Sequence, residues 1–396
     1  MKIFLTIVLS CTWVYPCVAQ PEQDISAQWQ AYFELSSTLK RKDQKTLAKE
    51  LEHNRKAAKP PKAERFGFDA ELPEAAFKTA EGKAIADIIL SFQTPSGGWS
   101  KRVDMGQRPR RRGEAWGAEK SYQPTFDNYA TTTQMRVLAK AFSATGDERY
   151  ATSFKRGLDL VINAQMPQGC WPQSFPLDGG YHNHITYNDK SMVNILELLL
   201  SVAQRDYPWL AQEKQELAQA ALLKGVNCIL MTQYFFEPSK TFLGWGAQHD
   251  AFSLQPAQAR AYEMPALSSQ ESAEIMLFLM ALPSPPAVVV QAVTDAATWL
   301  EAKRIVGKRY DRQLGKLVDD EQAKPLWSRF YSLTTGEPIF GDRDGQVYDR
   351  VERISLERRQ GYAWYSTGAS KALTKFQQWK TAHIQTPESG ASSPSS

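Results

Sequence analysis

The feature that most constrains the fold is a segment the chain uses three times. Gln93 is followed by Gly97 and Trp99, and Gln165 by Gly169 and Trp171, each after an apolar run. A degenerate third copy starts at Gln233 and reaches Trp245 through a longer loop. The copies lie 72 and 68 residues apart. A repeat of that length is too long for one short helical hairpin, but it holds two helices plus substantial loops.

The intervening sequence fills this frame. Helical patterns run over 128–145 and 149–165, split by Gly146 and Asp147, then over 189–205 and 212–232. A further pair covers 267–282 and 287–306, split by Pro283, Pro285 and Pro286. Alternating strand patterns are scarce. The expected fold is mainly α: an α/α toroid, or incomplete (α/α) barrel of helical hairpins, with long loops lining a cleft at one end. It is expected over residues 66–384, with a helical extension at 20–65 before it. The part from 38 to 65, rich in Lys, Arg, Glu and Ala and holding Pro60-Pro61, reads as a solvated helix and a break. Residues 385–396 read as a disordered, low-complexity tail.

Residues 1–19 place Lys2 before an apolar run that ends in small residues, the pattern of a secretory signal. A periplasmic or extracellular destination follows as an expectation. Cys170 and Cys228 then remain, permitting one disulfide and requiring none. No other run approaches the ~18 apolar residues of a spanning helix, so no stable membrane association is expected. The 47 basic residues barely exceed the 43 acidic ones, which argues against a broadly cationic nucleic-acid binder. A monomer is expected.

The loops after the repeats carry the candidate chemistry. Asp127-Asn128 and Asn188-Asp189 precede predicted helices at corresponding repeat positions. N-capping is one explanation. The other is a set of hard oxygen donors converging on a calcium ion. Arg260 is either an anion clamp or the partner of Glu263 or Glu271 in a salt bridge. His182 and His184 lack the further ligands a zinc site needs. The segments around Arg343 and Arg359 mix guanidinium groups with Tyr362 and Trp364, the combination that a polyanionic sugar would use, or an ion-pair cluster closing the toroid.

Together these segments resemble the pectate lyases of polysaccharide lyase family 10. The resemblance rests on TFDNYATTTQ, WPQSFP with ITYNDKSM, QPAQARAYEMPALS, PIFGDRDG and ERRQGYAWY, in that order across roughly residues 85–375. It implies a calcium-dependent β-elimination on polygalacturonate. By the same resemblance Asp127 and Asp189 are metal ligands assisted by Asn128, and Arg260 is the catalytic base. Arg343 or Arg359 matches a substrate-carboxylate arginine, and Lys101, Trp245 and His249 complete the expected substrate contacts, with Trp245 and Trp364 as sugar platforms. Tyr129 departs from the pattern, standing where a glycine is expected.

Three other readings stand beside it. The Gln-x3-Gly-x-Trp spacing also fits triterpene-cyclase-like α/α proteins, but no Asp-x-Asp-Asp motif accompanies it. A glycoside hydrolase would draw two carboxylates from Asp127, Asp189, Asp250 and Glu263. A non-catalytic polysaccharide-binding protein would use the aromatic residues alone.

Overall fold

The structure, a computed structural model, describes residues 25–51, 56–119 and 123–383. The expected leader at 1–19 and the expected tail at 385–396 lie outside these. Helix α1 (Ile25–Glu50) precedes α2 (Ala80–Ser91), and three hairpins follow. They are α3 (Thr132–Thr145) with α4 (Glu148–Asn163), α5 (Ser191–Ala203) with α6 (Gln212–Thr232), and α7 (Ser269–Leu279) with α8 (Ala287–Ala302). The short α9 (Leu356–Gly361) and α10 (Ala369–His383) end the described chain.

The hairpins stand where the sequence places them, because their breaks are chemically explicit. Gly146 takes the left-handed conformation that closes α3, and the Asp147 carboxylate accepts the Arg149 amide at 3.0 Å to open α4. Helices α3, α5 and α7 pack in succession, and α10 lies against both α7 and α8. A second row runs through α2, α4 and α6. This is the expected α/α toroid architecture; its main core cluster runs from Trp29 to Trp379, and a second, smaller one gathers Phe330, Phe340 and Trp364. Among the described residues no helix is long and apolar enough to cross a membrane.

The repeat is a set of staples. The Gln93 amide donates to its own loop at Gly97 O (2.7 Å) and to Ser153 O in α4 (2.9 Å). Gln165 does the same to Gly169 O and to Ala221 O in α6, and Gln233 to Leu243 O and Ala292 O in α8. Each glutamine thus fastens its own loop to the second helix of the next hairpin. The tryptophans point inward and donate to the preceding helix: Trp99 to Ile89 O, Trp171 to Val161 O, Trp245 to Ile229 O. Trp327 makes the same bond to Leu300 O, a fourth copy without its glutamine. Gly97 (φ 119°) is required twice over, since a Cβ there would lie 2.5 Å from Arg156 O.

The charged part of the N-terminal extension is largely exposed, as its composition suggests, but the helix is docked at its start. Trp29 and Tyr32 of α1 join the main core, and Tyr32 Oη donates to Ala164 O at 3.0 Å. Buried Asp43 accepts from both the amide and the hydroxyl of Ser96, in the first staple loop. Helix α1 therefore lies across the ends of the first two repeats. A disulfide joins Cys170, beside Trp171, to Cys228 of α6.

Candidate active site

Two short 3-10 turns, Asp127–Tyr129 and Asn188–Lys190, pack together just before α3 and α5. In each the middle residue is left-handed, Asn128 at φ 51° and Asp189 at φ 52°. Capping does not explain them, because α3 and α5 begin after Thr131 and Lys190 with no side-chain cap. The acids occupy non-equivalent places in the two turns, Asp127 the buried first and Asp189 the strained second. Their carboxylates nevertheless face one another.

Lys101 Nζ donates to Asp127 Oδ2 at 2.5 Å. Burial disfavours the Asp127 charge, but the Lys101 cation overrides it and holds that carboxyl below its usual range. Asp189 moves the other way. Burial and the facing Asp127 charge raise it, against a partial pull from Arg329. Asp127 Oδ1 is buried with no hydrogen-bond partner. Opposed carboxylates with an orphaned oxygen suit a hard cation, and Asn128 adjoins them. Among the described residues no three His, Cys, Asp or Glu side chains are grouped to hold a metal. Calcium takes six to eight oxygens, so the donor set fits an open site completed by water or substrate rather than a closed cage.

A polar path leads from this pair to Arg260. Asn188 Nδ2 donates to Asp189 Oδ2 (2.8 Å), and Asn188 Oδ1 accepts from Arg329 Nη2 (2.9 Å). Buried Arg329 also donates to Glu271 Oε1 (2.7 Å) and lies 5.1 Å from the centre of the Tyr362 ring. Tyr362 Oη donates to Glu263 Oε1 (2.7 Å), and Glu263 grips Arg260. Burial alone would lower the Arg260 guanidinium, but Glu263 holds it above its ordinary value. The salt-bridge alternative for Arg260 is thus realised with Glu263, while Glu271 serves Arg329. Tyr181 lies within electrostatic range of Arg260, Glu263, Lys101 and Asp127. A cleft of about 310 Å³ opens beside Asp127, lined by Lys101, Glu119, Gln173 and His182 among others.

Several expected contacts fall elsewhere. Trp245 and Trp364 are fully buried, their indoles bonded to Ile229 O and Arg358 O, so neither offers a sugar platform. His249 is also fully buried, with Nε2 accepting the Gly246 amide and Nδ1 facing Leu254 O, and it braces the loop instead of meeting substrate. Arg343 is exposed, pairs with Glu357 and lies 5.8 Å from the Tyr262 ring centre. Arg358, not Arg359, shares that ring at 4.6 Å, alongside Arg260 at 5.1 Å. Arg359 turns toward Gly315. Successive helix positions are ~100° apart, so adjacent arginines on α9 diverge. Arg329 is absent from the sequence reading, which names Asn188 beside Asp189 as a candidate oxygen donor, Glu271 as a possible partner of Arg260, and Tyr362 within the aromatic C-terminal segment.

The pectic acid lyase family profile matches residues 93–373. A family 10 polysaccharide lyase from Cellvibrio cellulosa is 32% identical, with a TM-score of 0.68, over 77% of this chain and 94% of that one. An aspartate-to-alanine mutant of the Cellvibrio cellulosa lyase, in complex with trigalacturonic acid, is 31% identical with the same TM-score and coverage. No curated protein sequence matches the chain.

Proposed function

The chain belongs to the pectic acid lyase family, the family 10 polysaccharide lyases, and on that premise we propose that it cleaves α-1,4-linked polygalacturonate by calcium-dependent β-elimination. The observation that carries the reading is the polar path running from the Asp127–Asp189 pair to Arg260 within one loop cluster. The complex of the Cellvibrio mutant with trigalacturonic acid supports an oligogalacturonate in the cleft.

Elimination breaks the C5–H bond alpha to the uronate carboxylate, places that electron pair in a C4–C5 double bond and breaks the bond from C4 to the glycosidic oxygen, which takes up a proton. Asp127, Asp189 and Asn128 would hold the calcium ion, which when bound would supply Lewis acidity toward charge on the uronate carboxylate. Arg260 receives the C5 proton. That role requires a neutral guanidine, and Glu263 opposes it, so turnover begins when Arg260 leaves Glu263. The neighbouring Arg358 cation favours the neutral form. Arg343 is placed to bind a further uronate carboxylate, and Lys101 keeps positive charge at Asp127. An N-terminal leader at 1–19 directs the chain outside the cytoplasm, a destination that the Cys170–Cys228 disulfide supports.

The test is incubation with polygalacturonate at alkaline pH, with and without chelator, following the absorbance of the unsaturated uronide. Calcium-dependent product that disappears in Arg260→Ala and Arg260→Lys is expected. Product that survives chelation, or Arg260→Ala turnover near wild type, overturns the reading.

A further inference from the structure

Upstream of the family-matched region, residues 56–65 read KAAKPPKAER, with a cation at every third position: Lys56, Lys59, Lys62 and Arg65. Burial follows the same period. All four cations are exposed, whereas Pro60 and Phe66 are buried and Ala57 and Ala63 half-buried. An extended segment with three residues per turn puts such positions on two separate edges, and Pro60-Pro61 favours that form.

The segment is fixed along the loop that follows Lys101. Ala63 N donates to Arg102 O and Asp104 N to Pro61 O, while at the other end Ala58 N donates to Gly113 O. Lys62 is therefore paired with Val103, two residues beyond the lysine that holds Asp127. At the far end the Gly113 contact brings Arg111 and Arg112, both exposed, beside Lys56 and Lys59.

The charges on this ribbon are conspicuously unneutralised. Arg102, Arg108 and Arg110 in the adjoining loop are paired with Glu119, Glu114 and Glu50. Lys56, Lys59, Lys62, Arg65, Arg111 and Arg112 form no ion pair with any described residue. Arg111 and Arg112 act on Glu114 and Glu50 only at longer range. Glu64, exposed on the ribbon's third edge, is the one acid within it.

We propose that this ribbon is an accessory binding track for a polyanionic glycan, holding the polymer beyond the residues being cleaved. At ~3.1 Å per residue it spans roughly 28 Å, enough for several sugars of a chain that bears a carboxylate on each one. Unpaired cations in an extended row suit such a ligand because each contact releases a counterion. The identity of the polyanion as polygalacturonate rests on the function proposed above; the track itself rests on the charge pattern.

The test compares the full-length chain with a quadruple variant, Lys56→Gln, Lys59→Gln, Lys62→Gln and Arg65→Gln, and with the double variant Arg111→Gln and Arg112→Gln. Binding is read under chelator, without turnover, as retardation in polygalacturonate-containing gels at several salt concentrations. Kinetics are read on polygalacturonate and on trigalacturonate. For the quadruple variant we expect retardation weakened, polymer KM raised about five- to tenfold, and a salt slope shallower by up to about 3. Trimer kinetics should stay within about twofold, since a short ligand fills the cleft alone, and the double variant should show a smaller shift of the same kind. Unchanged polymer binding, equal losses on trimer and polymer, or wild-type binding to phosphatidylglycerol vesicles but not to polymer would overturn the track. A wild type that forms no unsaturated product yet loses gel retardation in the quadruple variant would sink the lyase reading and leave the track standing.

Discussion

Glu263 holds Arg260 through both carboxylate oxygens, with Arg260 Nε 2.6 Å from Oε2 and Nη2 on Oε1. The pair fixes the guanidinium beside Tyr262 and Tyr362, and it stabilises the protonated form that a base must give up. Replacing Glu263 by Gln removes that stabilisation, so the Arg260 pKa falls. The alkaline limb of the kcat/KM profile should then move to lower pH. A limb that stays in place in Glu263→Gln would show that Arg260 is not the group titrating.

The acidic pair predicts opposite effects with and without calcium. In chelator, Asp189→Asn removes the charge that Asp127 and burial oppose, so its melting temperature should exceed that of wild type near neutral pH. With calcium, the stabilisation seen in wild type should vanish, and turnover should fall by about 10²–10³-fold. Retention of the full calcium-induced shift in Asp189→Asn would remove this residue from the metal site.

The staples predict a loss of stability without a loss of chemistry. Gln93→Leu leaves Gly97 O without its side-chain donor and takes from the mid-helix Ser153 O its second one, at a cost of about 1–3 kcal/mol. Denaturant unfolding should show it, while kcat at a temperature where the chain stays folded remains near wild type. A variant as stable as wild type would mean that water replaces the amide.

Glu274 predicts a stability gradient with pH. Burial, with the nearby Glu271 charge, pushes it up to about 8, and its Oε2 is buried without a partner. A carboxyl raised in the folded state binds its proton more tightly there than when unfolded. Its contribution is therefore complete below the ordinary carboxylate range and is lost as pH climbs through the raised value. Glu274→Gln should unfold at higher denaturant than wild type at pH 9 and should flatten the pH dependence between 5 and 9. Parallel curves for the two proteins would refute the assignment.

The hairpins were legible because their signals are local: Gly146-Asp147, the proline cluster after α7, and a glutamine and tryptophan at fixed spacing. The facing Asp127–Asp189 pair was legible as a repeat of acid and amide before two helices. Burial was not. Trp245 is the third member of a series whose first two, Trp99 and Trp171, point inward, so the repeat itself carries the signal that would have placed it inside. His249 and Trp364 were misplaced because no repeat marks them, and their backbone partners Gly246, Leu254 and Arg358, three to six residues away, leave no spacing signature. Arg329 is invisible for another reason. Its partners Glu271 and Asn188 come from the first turn of α7 and from the turn before α5, 58 and 141 residues distant in the chain. The solvated part of α1 was legible in its charge, whereas the docking of its start through Trp29 and Tyr32 was not, because two rings in a charged helix give no stripe of their own.

The glutamine staples also impose an order in time. Gln93, Gln165 and Gln233 reach partners 60, 56 and 59 residues further along the chain. A chain emerging from its N-terminus therefore carries each loop with half of its fastening missing until the next hairpin has followed it out. Every unit is completed by its successor, so a truncation anywhere before α8 leaves an unfinished end, and the youngest part of a growing chain is always its least secure.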